Sequence, residues 1–126
     1  MKILVFGTFD RLHPGHHFLL CKAQERGELF VVVARDATVQ RIKKIIPQQN
    51  QEERMQAIAS AYPGITVLLG DAADYLVPVL EVNPDLILLG YDQKLPPGVA
   101  EEDFSCPVER LEAFQPERWK SSLLKK

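Results

Sequence analysis

Four short apolar runs, separated by mixed polar segments, dominate the hydrophobic pattern of this chain. They cover residues 3–6, 29–34, 65–69 and 86–89, and a weaker fifth run covers residues 108–111. The runs are apolar at every position and rich in Val, Ile and Leu, which is typical of strands buried on both faces of a parallel sheet. The pattern therefore predicts a parallel sheet of about five strands.

Helix-end signals stand between these runs. Pro14 lies where a first helical turn would begin and Gly27 where that helix would end, which is the usual asymmetry of helix termini. Asn50 and Glu53 have the spacing of a capping box that opens a second helix. Both helices fall between predicted strands, so the chain alternates strand and helix.

Two further helices are predicted toward the C-terminal end. One covers residues 75–82, where Pro78 is tolerated only in the first turn, and the other covers residues 117–125. Strands that alternate with helices through right-handed crossovers indicate an α/β fold. We therefore predict a Rossmann-like, doubly wound parallel sheet in a single domain that covers residues 1–126.

Composition and charge exclude two classes of partner. A chain of 126 residues is long enough for one domain with a core. Its net charge of −2 argues against general nucleic-acid binding, and no apolar run approaches the roughly 18 residues of a membrane span. Cys21 and Cys106 form no CxxC pair, so free thiols are expected. We therefore expect a cytoplasmic protein that contacts neither nucleic acid nor membrane.

The stretch GTFDRLHPGHH, residues 7–17, concentrates glycines and ionisable side chains directly after the first predicted strand. Ligands of open α/β sheets bind at the carboxyl ends of the strands, so this stretch is predicted to face a ligand. Gly7 permits close approach of a ligand to the backbone, and free N–H groups near Gly15 would attract phosphate. His13 and His16 are three residues apart, so a short turn can aim both imidazoles at one point.

Two simpler interpretations of the histidines compete with a phosphate site. A His-x-x-His spacing alone is also typical of a capped helix start. Three histidines suggest zinc, but no cysteine or carboxylate stands at convincing ligand spacing, so no protein metal site is predicted. His17 is expected to be a bystander.

The motif GTFD followed by HPGH resembles the HxGH signature of the cytidylyltransferase-like nucleotidyltransferases. The segments ARDATV (34–39), PDLILLGYDQ (84–93) and WKSSLLKK (119–126) also resemble this family. The resemblance is greatest to archaeal-type FAD synthetases, which transfer AMP to FMN, and next to glycerol-3-phosphate cytidylyltransferases. The chain departs from the family pattern in a shorter 41–50 segment and in a C-terminal motif reduced to KSS.

The resemblance implies nucleotidyl transfer. A phosphate on the acceptor attacks the α-phosphorus of a nucleoside triphosphate, ATP or CTP, and pyrophosphate leaves; Mg²⁺ is carried mainly by the triphosphate. Catalytic roles are implied for His13, His16 and Lys44. Acceptor contacts are implied for Lys43 and Arg54, and which of the two lysines faces the phosphates stays open. The nucleotide is expected to contact Gly7, Thr8, Phe9, Asp10, His13, Pro14, Gly15, His16, Asp92, Ser121 and Ser122.

Transfer of AMP to FMN is the leading prediction, and cytidylyl transfer to glycerol 3-phosphate or another phospho-alcohol is the alternative. A non-catalytic nucleotide sensor is the competing class, favoured by the short 41–50 segment and disfavoured by the intact histidine pattern. A dinucleotide-dependent oxidoreductase is disfavoured because GxGxxG does not follow the first strand and Arg35 stands where an acidic residue would follow the second. A homodimer is expected from the resemblance alone.

Overall fold

Five parallel strands form one sheet in the computed structural model, which describes residues 1–71, 74–91, 93, 95 and 99–111. In chain order the strands are β1 Lys2–Gly7, β2 Glu28–Val33, β3 Thr66–Leu69, β4 Leu86–Leu89 and β5 Val108–Arg110. Their order across the sheet is β3-β2-β1-β4-β5, and every neighbouring pair is parallel. The predicted Rossmann-like sheet is confirmed.

Four α-helices lie within the described residues. They are α1 Pro14–Arg26, α2 Asp36–Lys43, α3 Gln51–Ala61 and α4 Val77–Val82, and a 3₁₀ turn covers Glu101–Asp103. Helices α1 and α3 begin at their predicted signals, and α4 begins two residues later than predicted, with Pro78 in its first turn. Helix α2 has no counterpart among the predicted elements. The helix predicted over residues 117–125 lies outside the described residues.

Helices cover both faces of the sheet. On one face, Leu20 of α1 and Ile58 of α3 share an apolar cluster with Val5 of the central strand. On the other face, Val79 of α4 shares a second cluster with Phe6. This two-sided burial explains why the strands are apolar at every position. Across the described ranges, no helix has the length and apolar character that a membrane crossing requires.

The order of the strands reverses at β1, and this reversal places the candidate site. β2 and β3 lie on one side of β1, while β4 and β5 lie on the other. In open α/β sheets ligands bind at such a switch point, in the crevice beyond the carboxyl ends of the strands. The loop after β1 and the first turn of α1 stand at this end, which brings His13 and His16 to the crevice.

Gly7 ends β1 in close contact with a neighbouring aromatic ring. A Cβ at this position would stand 2.6 Å from Cε2 of Phe9, closer than any ordinary contact. At the matching end of β3, a Cβ on Gly70 would meet nothing nearer than 3.5 Å. The missing side chain of Gly7 therefore makes room for the Phe9 ring, a reason that differs from the expected close approach of a ligand.

Candidate active site

The first loop, residues 8–13, carries the predicted ligand-facing residues from β1 to α1. Its backbone is unusual because Phe9 and Arg11 have φ angles of 55° and 56°, in the left-handed region that residues other than glycine seldom adopt. Such a conformation persists only where the surroundings hold it in place. The Phe9 side chain is buried, at 2% exposure, and the polar residues of the loop are bonded to a neighbouring segment.

That neighbouring segment is the second loop, residues 44–50, and Asp10 binds it directly. The two carboxylate oxygens of Asp10 accept the backbone N–H groups of Gln48 and Gln49, each at 2.9 Å. Arg11 adds hydrogen bonds from its backbone N–H to Gln49 Oε1 and from its guanidinium to Gln48 Oε1. Desolvation alone would raise the pKa of Asp10, but the N–H groups of Gln48 and Gln49, together with the positive charges of Arg54 and Arg11, hold the pKa below its ordinary value. Asp10 thus holds the two loops together.

Two histidines cap the start of α1. His13 is the N-cap residue, and its Nδ1 accepts the N–H of Gly15 at 3.1 Å. His16 completes a capping box, since its Nδ1 accepts the backbone N–H of His13 at 3.3 Å, and the two rings stack with centroids 3.7 Å apart. The N–H of Gly15 is therefore occupied by the cap, which corrects the expectation that it is free to bind phosphate.

Capping also fixes which nitrogen of each ring carries the proton. Because Nδ1 accepts a hydrogen bond in both His13 and His16, the proton of each neutral imidazole resides on Nε2. None of the described residues bonds to either Nε2 atom, so both remain available as N–H donors. The capped-helix interpretation and the phosphate-site interpretation are thus compatible, because each ring uses one nitrogen for each purpose.

His16 is held in its neutral form. Burial, followed by electrostatic interactions with His13, His17 and Lys43, lowers the pKa of His16 from 6.5 to about 4. The ring of Phe9 meets the His16 ring edge to face, with centroids 5.3 Å apart. At neutral pH this imidazole is therefore a hydrogen-bond donor without a positive charge.

The lowered pKa of His16 predicts a loss of stability in mild acid. Below pH 6.5 the unfolded chain takes up a proton at this residue, whereas the folded chain does not do so until about pH 4. Stability should therefore decrease as the pH falls through this window, by about 1–2 kcal/mol for a partly exposed group. Urea unfolding of the wild type and of His16→Gln at pH 7.5 and 4.5 measures this contribution. An equal loss of stability in both proteins would contradict the assignment.

Lys43 is the lysine that reaches the first loop. It is the last residue of α2, and its Nζ donates to Thr8 Oγ1 at 2.8 Å. Lys44 instead ends the helix as its C-cap, with a left-handed φ of 60°. The structure thus places Lys43 beside the histidines, and the predicted catalytic assignment of Lys44 gains no support from it.

Arg54 is fully buried, which corrects its expected contact with an acceptor phosphate. Its Nη1 donates to Thr8 O and Ala34 O, both at 2.8 Å, and its Nε donates to Gln49 O at 3.1 Å. Its Nη2 pairs with Asp36 Oδ1 at 2.6 Å, while the Arg54 side chain is 0% exposed. Arg54 therefore joins the carboxyl ends of β1 and β2 to α2 and to the second loop.

The partner of Arg54 was missed by sequence reasoning. Asp36 begins α2, and besides the ion pair its backbone N–H and its Oδ2 exchange two hydrogen bonds with Gln51 at the start of α3. These contacts set the direction in which α2 leaves β2 and thus where Lys43 arrives. The ion pair is a positioning element of the site rather than part of its ligand surface.

The other side of the crevice is organised by Gln93, which the sequence did not single out. Its Nε2 donates to Phe6 O at 2.9 Å and its Oε1 accepts the N–H of Gly90 at 3.0 Å, so it bridges the ends of β1 and β4. Arg110 of β5 donates to Gly90 O and to Gln93 O. The predicted nucleotide contacts Asp92, Ser121 and Ser122 lie outside the described residues.

The third histidine serves packing. His17 Nδ1 lies 2.6 Å from the hydroxyl of Tyr62, which connects α1 to the end of α3. The Tyr62 hydroxyl also lies 3.7 Å from Cys21 Sγ. In the part of the chain that the structure describes, no group of three or more His, Cys, Asp or Glu residues is placed to hold a metal ion.

Known proteins with similar sequences belong to the family that the histidine motif indicated. The cytidylyltransferase-like family model matches residues 4–112. A protein named FAD synthase from Methanosphaerula palustris is 43% identical over 103 residues, which cover 80% of this chain and 65% of that protein. A FAD synthase from Methanolacinia petrolearia is 37% identical over an alignment of 128 positions, which covers 96% of this chain and 84% of the relative. The chain thus spans slightly less than two thirds of the first relative and most of the second.

A solved structure of another protein has a similar fold. The crystal structure of the lipopolysaccharide core biosynthesis protein from Thermoplasma volcanium matches with a TM-score of 0.81 and 32% sequence identity. The match covers 91% of this chain and 98% of that chain. The resemblance that the HPGH motif indicated is confirmed, and the chain belongs to the cytidylyltransferase-like family.

Proposed function

We propose that this protein transfers AMP from ATP to FMN, forming FAD and releasing pyrophosphate. The observation that carries the proposal is the capped histidine pair, which presents two Nε2–H donors beside Lys43 at the switch point of the sheet. Relatives named FAD synthase, at 37–43% identity, support FMN as the acceptor. The family itself supports a nucleoside triphosphate as the donor.

The proposed reaction requires the protein to position the two substrates rather than to activate the nucleophile. The nucleophile is a phosphate oxygen of FMN, which is already an anion near neutral pH because a phosphate monoester has a second pKa of about 6. This oxygen forms a bond to the α-phosphorus while the bond from that phosphorus to the bridging oxygen breaks, and pyrophosphate leaves with the electron pair. No general base and no covalent intermediate are needed. The protein therefore acts by alignment and by neutralising charge.

Each site residue has a distinct task in this scheme. His13 and His16 donate their Nε2–H groups to phosphate oxygens that gain negative charge in the transition state. Because His16 stays neutral, Lys43 supplies the positive charge. Thr8 orients the Lys43 ammonium through its hydroxyl, and Arg54 holds Thr8 through the backbone carbonyl.

Mg²⁺ is the divalent ion proposed for the reaction, and it would arrive with the triphosphate. The described residues offer no cluster that would form a protein cage for it. Mg²⁺ usually binds to nucleotide phosphates and keeps several water ligands. When bound, the ion offsets part of the negative charge of the triphosphate.

Lys43→Met and Lys44→Met form a matched pair that tests the assignment of the two lysines. We expect Lys43→Met to lower kcat/KM about tenfold or more, because it removes a charge aimed at the phosphates. Lys44→Met should stay within about threefold of the wild type, since exposed charges contribute little. Steady-state pyrophosphate release measures both. A larger loss in Lys44→Met would reverse the assignment.

Pyrophosphate release also tests the proposed function itself. The wild type is assayed with Mg²⁺ and each combination of ATP or CTP with FMN or glycerol 3-phosphate, with His16→Ala as the control. Release with ATP and FMN only, abolished in His16→Ala, supports FAD synthesis. Release with CTP and glycerol 3-phosphate would instead establish the cytidylyltransferase alternative. Binding of ATP without release in any combination would favour a sensor or another acceptor.

A further inference from the structure

Three exposed isoleucines fall within five positions of the sequence, in the segment that borders the candidate active site. Ile42, Ile45 and Ile46, here called the isoleucine patch, are 40%, 56% and 78% exposed. The other large apolar side chains that are exposed among the described residues are Met1, Leu80 and Tyr91, which are far apart in the sequence. Single exposed apolar residues are common, but a concentration of them with a polar rim marks a binding surface.

Both ends of the segment that carries the patch are fixed to the first loop. At one end, Lys43 Nζ donates to Thr8 Oγ1 at 2.8 Å. At the other end, the N–H of Gln48 donates to Asp10 Oδ2 at 2.9 Å, and Arg11 Nη1 donates to Gln48 Oε1 at 2.6 Å. The isoleucines therefore stand next to the loop that ends at the capping histidines.

The charges around the patch suit an anionic ligand with an apolar body. Arg41, Lys43 and Lys44 flank the isoleucines in the sequence, and Arg11 reaches the second loop from the opposite side. The nearest carboxylate on the first loop, Asp10, is occupied by two backbone N–H groups. A ligand that combines a phosphate with a broad apolar ring system would match both features of this surface.

We infer that the isoleucine patch binds the tricyclic ring of the flavin acceptor and so determines acceptor specificity. This inference rests on the proposed function, because FMN is the acceptor that combines such a ring with an attacking phosphate. The ring covers the isoleucines, and the phosphate extends toward Lys43 and the histidine pair. The gain is hydrophobic, since apolar side-chain area is removed from water.

A second copy of the chain is a weaker candidate for the occupant. Stable interfaces bury about 800 Å² on each partner, far more than three partly exposed isoleucines provide. In a twofold dimer the same patch would face itself, so Arg41, Lys43 and Lys44 would approach their own copies. Such like-charge contacts oppose association. The flavin ring meets neither obstacle.

Riboflavin, which has the ring and no phosphate, is the probe that isolates the patch. Quenching of its fluorescence is titrated, in the presence of Mg²⁺ and ATP, against the wild type and the double variant Ile45→Gln/Ile46→Gln. Leu80→Gln, another exposed apolar residue at 74% exposure, is the matched control. We expect the double variant to weaken riboflavin binding about tenfold and to raise the KM for FMN similarly, with the KM for ATP unchanged. Leu80→Gln should leave all three values at the wild-type level.

The outcomes separate this inference from the proposed function. If the wild type makes no FAD but binds riboflavin, and the double variant loses that binding, the proposed function is contradicted and flavin binding at the isoleucine patch is supported. If the wild type makes FAD and the double variant keeps wild-type riboflavin binding and FMN KM, the patch inference is overturned. It is also overturned if the double variant only shifts a dimer to a monomer in sedimentation. If the wild type neither makes FAD nor binds riboflavin, both fail.

Discussion

His16→Ala is expected to lower kcat for FAD formation about 10²- to 10³-fold, the cost of removing one preorganised donor to a developing oxyanion. The Nε2–H of His16 is fixed by the capping box and kept neutral by burial, so it needs no reorganisation when charge develops. The KM for ATP should change much less than kcat, because the interaction strengthens in the transition state. Single-turnover formation of FAD, measured by quenching of flavin fluorescence, separates the chemical step from product release.

Two controls distinguish catalysis from helix capping. His16→Gln supplies an amide oxygen that can accept the His13 N–H, so it should recover much of the stability lost in His16→Ala. It should recover only part of the turnover, since the rotatable Gln side chain does not hold its N–H donor in the fixed orientation that the imidazole ring gives Nε2. His17→Ala removes the neighbouring imidazole that contacts Tyr62, and it should cost about 1 kcal/mol of stability with kcat nearly unchanged. Equal losses of kcat in His16→Ala and His17→Ala would show that the effect is structural.

Much of the fold followed from the sequence because its strands are buried on both faces. Continuous apolar runs distinguished them from amphipathic helices, and Pro14 and Asn50 marked two helix starts. The position of the histidine loop followed from the general placement of ligands at strand ends. The sequence did not predict that each imidazole caps the helix with Nδ1 and leaves Nε2 available to a ligand. That division depends on ring orientations that only the capping geometry fixes.

Helix α2 carried too little local signal to be predicted. It has eight residues, and Val39 is its only buried one, so it shows no amphipathic repeat of useful length. Its position instead depends on the tertiary contacts of Asp36 with Arg54 and Gln51. The choice between Lys43 and Lys44 depended on that helix, and it therefore stayed open at the level of sequence.

Arg54 was misjudged because a charged side chain is seldom buried completely. One signal was nevertheless present, since Arg54, Ile58 and the C-cap residue Tyr62 are spaced four residues apart and follow one face of α3. Ile58 and Tyr62 are both buried, which places Arg54 on the inward stripe. Gln93 offered no comparable signal, because its role as a bridge between β1 and β4 depends on the packing of two strand ends.

Replacing Arg54 is expected to have the largest effect on stability. Arg54→Met should lower the free energy of unfolding by about 3 kcal/mol, the lower end of the usual cost of breaking a buried ion pair from one side, because the Asp36 side chain is 32% exposed. The substitution leaves the Asp36 carboxylate without its charged partner and removes the Arg54 donors from the carbonyls of Thr8, Ala34 and Gln49. Gln56→Met, on the exposed side of the same helix, should change stability by less than about 0.5 kcal/mol. Urea unfolding followed by circular dichroism measures both variants.

Arg54→Lys and Asp36→Asn keep the test informative if Arg54→Met fails to fold. Lysine preserves the charge but cannot reach four acceptors as a planar guanidinium does. The free energy of unfolding of Arg54→Lys should therefore fall between those of the wild type and Arg54→Met. Asp36→Asn keeps an acceptor for Nη2 and should cost less than Arg54→Met, because the three carbonyl contacts survive. A loss below about 1 kcal/mol in Arg54→Met would show that methionine packing compensates for the network. In that case kcat/KM decides the positioning role: a decrease in the variant would show that Arg54 still positions Thr8 and Lys43, and a wild-type value would contradict that role.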